Sequence, residues 1–598
     1  MTLKYSSNRT RIFQGSQLVL ISSLLLLSGC STGFLTADDS NVSGVALPSS
    51  HSLQERDDTL SGTSERSLHV DADTMFQILA AEMMVQKGQP AQAFDLIYEV
   101  AVNTRDAELA QRAFELSITT YDGQKIEAAT NLWREVSPQA PIAWRASFLI
   151  SLTQGSVDLA LKQWHRYHSL SGKGLDQDLL ITAQRVSTSA RPEHSIEFMQ
   201  SLTQSFPESW AAYFSLGYVA HINGQLDIAL AALEKARTLQ TTESEPQINR
   251  LLAKLYLELS SPQRGLDALE PYLEKYPEDW AVQERVARLE VQAQFYDAAE
   301  ARYENILKSV PDAYTSRLSL ALLQIERKSY AQAEVNLDQV MLAEGYANVA
   351  NYYLGLLHQE QKNYDKALQH FAGVTTNNYY LDAQLHRAEI YFSMNEVRKA
   401  VQVLDLIEVE EPQDKIKVYR AKGSLYSYEN KYLQAIEQYD KALAIDSEHI
   451  DVLMAQALLF YKLEQFDAYE RNLKRVIELD PNEVDALNAL GYFYVEKDSH
   501  HEVAERLLKK AYDLAPENYY VLDSLGWFYF KKQNYTLAEE YLQKALAIQL
   551  DDEVLIHLIS TYWKQGSYEK ARSLWQKYHN KFLKNNRLQS LITELEKQ

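Results

Sequence analysis

The sequence has very few cysteines and fewer basic than acidic residues, and both deficits limit what the protein can do. Cys30 is the single cysteine among 598 residues, so no intramolecular disulfide can form and stability must come from packing. The 59 basic residues are outnumbered by 81 acidic ones, for a net charge of -22. A surface of this kind repels nucleic acid and lacks a basic face for phosphate, so we expect no nucleic-acid partner.

Residue patterns that carry out catalysis are also missing from the sequence. It contains no zinc-protease spacing, glycine-rich phosphate loop, nucleophile elbow or paired cysteines. The densest histidine group, His500-His501-Glu502, lies in an inserted turn, where adjacent histidines point in different directions and make a poor metal site. We therefore predict that the protein is not an enzyme and uses no metal, cofactor or small-molecule substrate.

An apolar run long enough to span a membrane is missing as well, because the stretch 12–29 includes two glutamines and four serines. Basic residues precede an apolar core at 18–27, which is the layout of a secretory signal peptide. The sequence Leu27-Ser28-Gly29-Cys30 resembles the lipobox of bacterial lipoproteins. The resemblance implies cleavage before Cys30 and attachment of a diacylglycerol and an N-acyl chain to this residue.

The residues after Cys30 indicate where the protein is held. In lipoproteins an Asp directly after the lipidated cysteine tends to retain the protein in the inner membrane, and this chain has Ser31 there. The resemblance thus implies a cell outer-membrane protein that faces the periplasm on its acyl chains. The segment up to residue 72 is rich in Ser, Thr, Asp and Gly without apolar periodicity, which is typical of a flexible tether.

The rest of the chain repeats with a period close to 34 residues. Small residues recur at the eighth and twentieth places of a frame, as in Gly526 and Ala538, where two helices must cross closely. Two frames depart from this rule at their seventh and eighth places, with Ser147-Phe148 and with Leu558-Ile559. Looser frames begin near Thr74, Ala107, Pro141 and Asp176, and regular frames begin at Trp210, Pro246, Trp280, Tyr314, Asn348, Leu381, Ile416, Ile450, Val484, Tyr519 and Asp552.

This pattern resembles the tetratricopeptide repeat (TPR). The resemblance implies an all-α solenoid, a right-handed superhelix of about 15 helical hairpins. We assign residues 1–29 to the signal peptide and 30–72 to the lipidated cysteine and its tether. Degenerate repeats are expected over 73–209, the regular array over 210–585 and a C-terminal capping helix over 586–598.

Several runs are more specific than the general repeat, among them NYYLGLLHQEQKNYDKAL (351–368), ALNALGY (486–492) and VLDSLGWFYFKKQNY (521–535). They resemble a proteobacterial family of TPR outer-membrane lipoproteins, which includes the adaptor that binds and activates a periplasmic carboxyl-terminal processing protease. The resemblance implies a scaffold that recruits such a protease and presents peptidoglycan hydrolases to it. An assembly factor for a pilus, a secretin or a polysaccharide exporter is the alternative function.

The surface that binds the partner is predicted from the geometry of this repeat family. The first helix of each pair lines the concave surface, and places two, five, nine and twelve of a frame form one stripe. Aromatic residues on such a stripe anchor interfaces, and polar ones hold an extended backbone. Packing of Trp527 and Tyr492 between neighbouring hairpins is an alternative that the sequence leaves open. The predicted binding residues are Asp451, Met454, Tyr461, Asp485, Asn488, Tyr492, Tyr520, Asp523, Trp527 and Phe530.

Overall fold

The computed structural model describes residues 72–189, 191–242, 244–376, 378–582 and 586–595. All regular structure within these ranges is helical, which confirms the expected all-α class. The signal peptide, Cys30 and nearly all of the tether lie outside the described residues, so the expectations about them stay predictions. In the described part of the chain, no helix combines the length and the apolar character needed to cross a membrane.

The described helices pair into fifteen consecutive hairpins, here numbered 1 to 15, which confirms the expected number. The first helices span Ala72–Gln86, Ala107–Ile118, Pro141–Thr153, Leu175–Ser189, Trp210–Ile222, Glu245–Glu258, Trp280–Gln292, Tyr314–Glu326, Ala347–Glu360, Tyr380–Ser393, Pro412–Tyr428, Ile450–Lys462, Val484–Glu496, Tyr519–Lys531 and Asp552–Lys564. The second helices span Pro90–Thr104, Gly123–Val136, Val157–Ser171, Pro192–Ser205, Leu226–Thr238, Pro262–Lys275, Tyr296–Ser309, Tyr330–Met341, Tyr364–Ala372, Val397–Asp405, Tyr432–Ile445, Phe466–Leu479, His501–Leu514, Tyr535–Ile548 and Tyr568–Tyr578. A short 3-10 helix at His579–Lys581 and a final helix at Asn586–Leu595 follow hairpin 15.

The hairpins belong to two compact units, one that ends at Asn336 and one that begins at Leu337. In both units the core lies between the two helices of a hairpin and the first helix of the next one. Trp164 and Tyr256 are completely buried in the N-terminal unit, and Leu542 and Ile559 are completely buried in the C-terminal unit. Each hairpin therefore buries its apolar faces against its neighbours along the chain, as repeat arrays do.

Close helix crossings depend on glycine, as the repeat pattern predicts. A Cβ atom added to Gly491 would lie 2.7 Å from Cγ of Leu508, and one added to Gly526 would lie 2.6 Å from Cγ of Leu542. Hairpin 3 departs from this arrangement because Phe148 occupies the eighth place. Its ring is 1% exposed and fills the space between the helices, with its centroid 5.9 Å from Tyr167 and 5.8 Å from Phe198.

The first and last helices of the described chain differ in how far their apolar side chains are buried. Leu588 of the final helix is completely buried against hairpin 15, so this helix covers the apolar end of the last repeat. The first helix instead exposes large apolar side chains to solvent. They are Met75 at 49%, Phe76 at 72%, Leu79 at 58% and Met83 at 56% exposure.

Candidate functional site

The predicted binding residues lie on the first helices of hairpins 12, 13 and 14, in the C-terminal unit. They divide into three groups by exposure. Asp451 is exposed, whereas Asn488 and Asp523 are each 8% exposed and Tyr492 is 2% exposed. The half-buried members are Met454, Tyr461, Asp485, Tyr520, Trp527 and Phe530. Half-buried aromatic side chains of this kind combine a fixed position with a surface that a partner can contact.

A chain of polar and stacking contacts connects hairpins 13, 14 and 15. The Trp527 indole donates a hydrogen bond from Nε1 to Oε1 of Glu496, at 2.7 Å. Its ring stacks on the His557 imidazole with centroids 4.0 Å apart and planes inclined by 15°. His557 in turn lies against the buried carboxylate of Asp523, with Nδ1 and Oδ1 separated by 2.9 Å. Because a carboxylate only accepts, the Nδ1 proton of His557 is the donor in this contact.

Tyr492 forms a second connection, from hairpin 13 to hairpin 15. Its hydroxyl donates to Oε1 of Glu553 at 3.4 Å, a long hydrogen bond between residues 61 positions apart in sequence. The phenol ring is 6.5 Å from the His557 ring, measured between centroids. Tyr492 thus packs between neighbouring hairpins, which agrees with the alternative that the sequence left open for this residue. Trp527 packs as well, but it keeps part of its surface exposed.

Four more of the predicted residues make contacts outside this network or at its edge. Asp451 forms an ion pair with Arg420 at 2.9 Å. Met454 and Tyr461 pack against the core shared by hairpins 12 to 14, and the Tyr461 ring lies 5.1 Å from that of Tyr469. Phe530 stacks on Trp527 with centroids 4.4 Å apart. The structure therefore brings Asp523, Trp527, Tyr492 and Phe530 together, and it places the hairpin 12 residues in a separate set of contacts.

Three residues of this network, Glu496, Glu553 and His557, were not among the predicted ones. His557 follows Asp523 by 34 residues, one full period of the repeat. The frame that starts at Asp552 places it sixth instead of fifth, because this frame departs from the pattern at Leu558-Ile559. The 34-residue spacing from Asp523 was the signal that would have identified it.

Several carboxylates lie in this network. Glu496, Asp523 and Glu553 meet here, and Asp551 caps the first helix of hairpin 15 by accepting from the backbone N–H of Glu553 at 2.8 Å. Burial raises the pKa of the Asp551 carboxyl, and the neighbouring charges of Asp552 and Asp523 raise it further. A cation also lies in this region, because Nζ of Lys531 is 5.4 Å from the centre of the Trp527 ring.

The histidine pair of hairpin 13 makes only local contacts in the structure. His501 begins the second helix of hairpin 13 with its Nε2 3.6 Å from the exposed Asp498, and the His500 ring lies 4.7 Å from that of Tyr494. Across the described ranges, no group of three or more His, Cys, Asp and Glu side chains is arranged to hold a metal ion.

Comparison with known proteins points to one kind of repeat. Models of the tetratricopeptide repeat match residues 193–244, 285–348, 358–425, 416–449 and 496–553. A TPR repeat-containing protein of Pseudomonas aeruginosa is 26% identical over 551 residues, which cover 90% of this chain and 90% of the relative.

The solved structures that this chain matches include a tetratricopeptide repeat protein from Parabacteroides merdae, at 17% identity and a TM-score of 0.32. That match covers 42% of this chain and 99% of the other. YrrB, described as a TPR protein with an unusual peptide-binding site, is 24% identical with a TM-score of 0.25. Here the match covers 29% of this chain and 89% of the other.

Proposed function

We propose that this protein, which is built of tetratricopeptide repeats, is an outer-membrane-anchored scaffold that recruits or activates a carboxyl-terminal processing protease and presents peptidoglycan hydrolases to it. Tetratricopeptide repeats imply a scaffold for protein–protein interaction. The lipobox resemblance at Cys30 and the family-like runs support the more specific role. A tethered scaffold of this kind accelerates proteolysis by raising the effective concentration of protease and substrate, so it needs no catalytic group of its own.

The observation that carries this proposal is the network across hairpins 13 to 15. Trp527 is held by its hydrogen bond to Glu496 and by stacking on His557, so this aromatic part of the stripe is ordered before a partner arrives. A preorganised surface loses less conformational entropy on binding than a mobile one. The half-buried Tyr520 and Phe530 extend the same face on the first helix of hairpin 14.

Photocrosslinking in intact cells tests the role of the stripe. A photoreactive phenylalanine analogue at Tyr520 should yield adducts with periplasmic proteins, identified by mass spectrometry. The same analogue at the exposed Glu540, on the second helix of hairpin 14, is the matched control and should yield few. Adducts that include neither a protease nor a wall hydrolase would contradict the adaptor role. Loss of a pilus or exporter on deletion, with unchanged hydrolase levels, would favour the assembly-factor alternative.

The anchor is tested separately by the Cys30→Ser variant. Without a lipidated cysteine the protein should move to the soluble periplasmic fraction or accumulate with its signal peptide uncleaved. Fractionation followed by immunoblotting distinguishes these outcomes. A variant that is processed and remains in the outer-membrane fraction shows that the anchor lies elsewhere.

A further inference from the structure

We propose that the segment between hairpins 10 and 11, residues 406–411, binds an extended basic segment of a partner protein as an added β-strand. The inference goes beyond the proposed function, because it concerns hairpin 10 instead of the stripe on hairpins 13 to 15. It relies on main-chain hydrogen-bonding groups, which the repeat pattern does not specify.

This segment replaces the end of a helix. The second helix of hairpin 10, Val397–Asp405, has nine residues, whereas the second helices of hairpins 11 and 12 have 14 each. Residues 407–410 then run without a turn or bend. Glu411 is also extended, with φ at -63° and ψ at 130°. It precedes Pro412, and a residue in that position avoids the helical region.

The main chain of this segment is unpaired. Elsewhere in the C-terminal unit, the connections between hairpins close on themselves. The N–H of Asn518, for example, donates to the C=O of Ala515 at 3.1 Å, and that of His449 donates to the C=O of Asp446 at 3.3 Å. Within the described residues, the N–H and C=O groups of residues 407–410 make no hydrogen bond. An extended stretch with unpaired main-chain groups is a template for another strand.

The side chains of the segment alternate as those of a strand do. Ile407 and Val409 are half-buried and pack against the core that hairpins 10 and 11 share. Glu408 and Glu410 are exposed. Because successive side chains of a strand point to opposite faces, one face of the segment is fixed to the protein and the other faces solvent. The segment therefore needs little ordering before a strand adds to it.

Charge determines which strand can be added. Opposite charges directly across two strands stabilise the pair, and like charges destabilise it. A second copy of this segment would place Glu408 and Glu410 against the same two carboxylates, so self-pairing is unfavourable. The neighbouring cation Lys422 is already paired with Asp405 at 2.7 Å. The exposed face thus favours a partner segment with arginine or lysine at every second position.

Hydrogen exchange on the full-length protein in detergent tests strand addition, with synthetic octapeptides as probes. One probe alternates arginine with threonine, and its matched control carries the same four arginines in one block. The alternating probe should protect every second amide of residues 407–410, because a strand bonds its partner through alternate residues. Mass spectrometry with electron-transfer fragmentation resolves these amides individually. The block peptide should leave all of them unprotected.

A modified probe and variants of the protein separate the main-chain and charge contributions. Methylation of the threonine amide nitrogens keeps the charges of the probe but removes hydrogen-bond donors, so binding should weaken about tenfold in fluorescence anisotropy. Glu408→Gln combined with Glu410→Gln should weaken binding of the unmodified probe about fivefold. Circular dichroism melting verifies that the variant keeps its fold.

A matched control accounts for the change in net charge. Glu437→Gln combined with Glu540→Gln alters two exposed carboxylates on the second helices of hairpins 11 and 14, and it should leave probe binding unchanged. Equal weakening in the two double variants would show that the overall charge of the protein attracts the probe, and it would overturn the assignment to residues 406–411.

Three further outcomes would overturn the proposal. The alternating probe may protect none of the amides of residues 407–410, or the block peptide may protect them equally well. Protection that rises with protein concentration without any peptide would show that a second copy occupies the segment. None of these outcomes affects crosslinking at Tyr520, so the scaffold function is tested separately.

Discussion

Two regions of the molecule share one helix–turn–helix plan but bury their polar groups differently. One is formed by hairpins 3 and 4 in the N-terminal unit, and the other by hairpins 13 and 14 in the C-terminal unit. Asp178 of hairpin 4 is completely buried and accepts hydrogen bonds from the Tyr167 hydroxyl at 3.0 Å and the Ser171 hydroxyl at 2.5 Å. It also lies 2.7 Å from Nδ1 of His168.

Asp523 of hairpin 14 is 8% exposed and instead contacts a histidine of the next hairpin, with its Oδ1 2.9 Å from Nδ1 of His557. In hairpins 3 and 4, partners from the preceding helix surround the carboxylate. In hairpins 13 to 15, Nε2 of His557 has no hydrogen-bond partner among the described residues. The comparison teaches that one buried carboxylate is satisfied by several groups of a single neighbouring helix, whereas the other joins consecutive hairpins through one histidine.

The two regions also differ in their apolar packing, because Phe148 of hairpin 3 fills the place that glycine occupies in hairpins 13 and 14. The largest predicted effect comes from removing this ring. Phe148→Ala removes a buried ring from the place that glycine occupies elsewhere, so it should destabilise hairpin 3 by about 3–5 kcal/mol. Hydrogen exchange monitored by mass spectrometry should show the loss of protection around residues 141–205. Phe76→Ala, at a ring that is 72% exposed, is the control and should change little. Equal effects of the two substitutions would contradict the packing role of Phe148.

The second prediction adds a side-chain atom at the glycine where the helices of hairpin 13 cross. Gly491→Ala places a Cβ atom 2.7 Å from Leu508, so the helices of hairpin 13 must separate and the hairpin should lose about 1–3 kcal/mol. Gly123→Ala is the matched control because nothing lies within 4 Å of its added Cβ, and it should be neutral or slightly stabilising. Urea unfolding of both variants measures the difference. A Gly491→Ala protein as stable as the wild type would show that the crossing can widen freely.

The smallest predicted effect concerns the hydrogen bond between the Tyr167 hydroxyl and the buried Asp178. Burial, together with the charge of Asp178, raises the pKa of Tyr167 to about 12 from 10.0. A raised folded-state pKa stabilises the fold fully below pH 10, and this stabilisation is lost as the pH rises through about 12.

Tyr167→Phe should therefore be about 1 kcal/mol less stable than the wild type at neutral pH, and the difference should shrink as the pH rises above 10. Urea unfolding as a function of pH measures it. A difference that stays constant up to pH 12 would contradict the pairing with Asp178.

Much of the fold could be predicted from the sequence because its signal is repeated many times. The period of about 34 residues and the glycine and alanine places are set by the helix crossing itself, so Gly491 and Gly526 identify it directly. The polar contacts were harder to predict. Asp178 is satisfied by residues of the preceding helix, and no repeat place encodes that arrangement. The Tyr492 hydroxyl bonds to Glu553 two hairpins later, a contact that no repeat place encodes. The place of His557 was obscured where the last frame departs from the pattern.

The covered face of hairpin 15 has a consequence for self-association. Growth of an open filament requires two complementary, unoccupied ends on every subunit, so that each copy can accept the next one head to tail. The helix Asn586–Leu595 already occupies one of these ends with Leu588. A second copy therefore cannot stack on that face of hairpin 15 while this helix stays in place, which disfavours head-to-tail growth along the repeat axis.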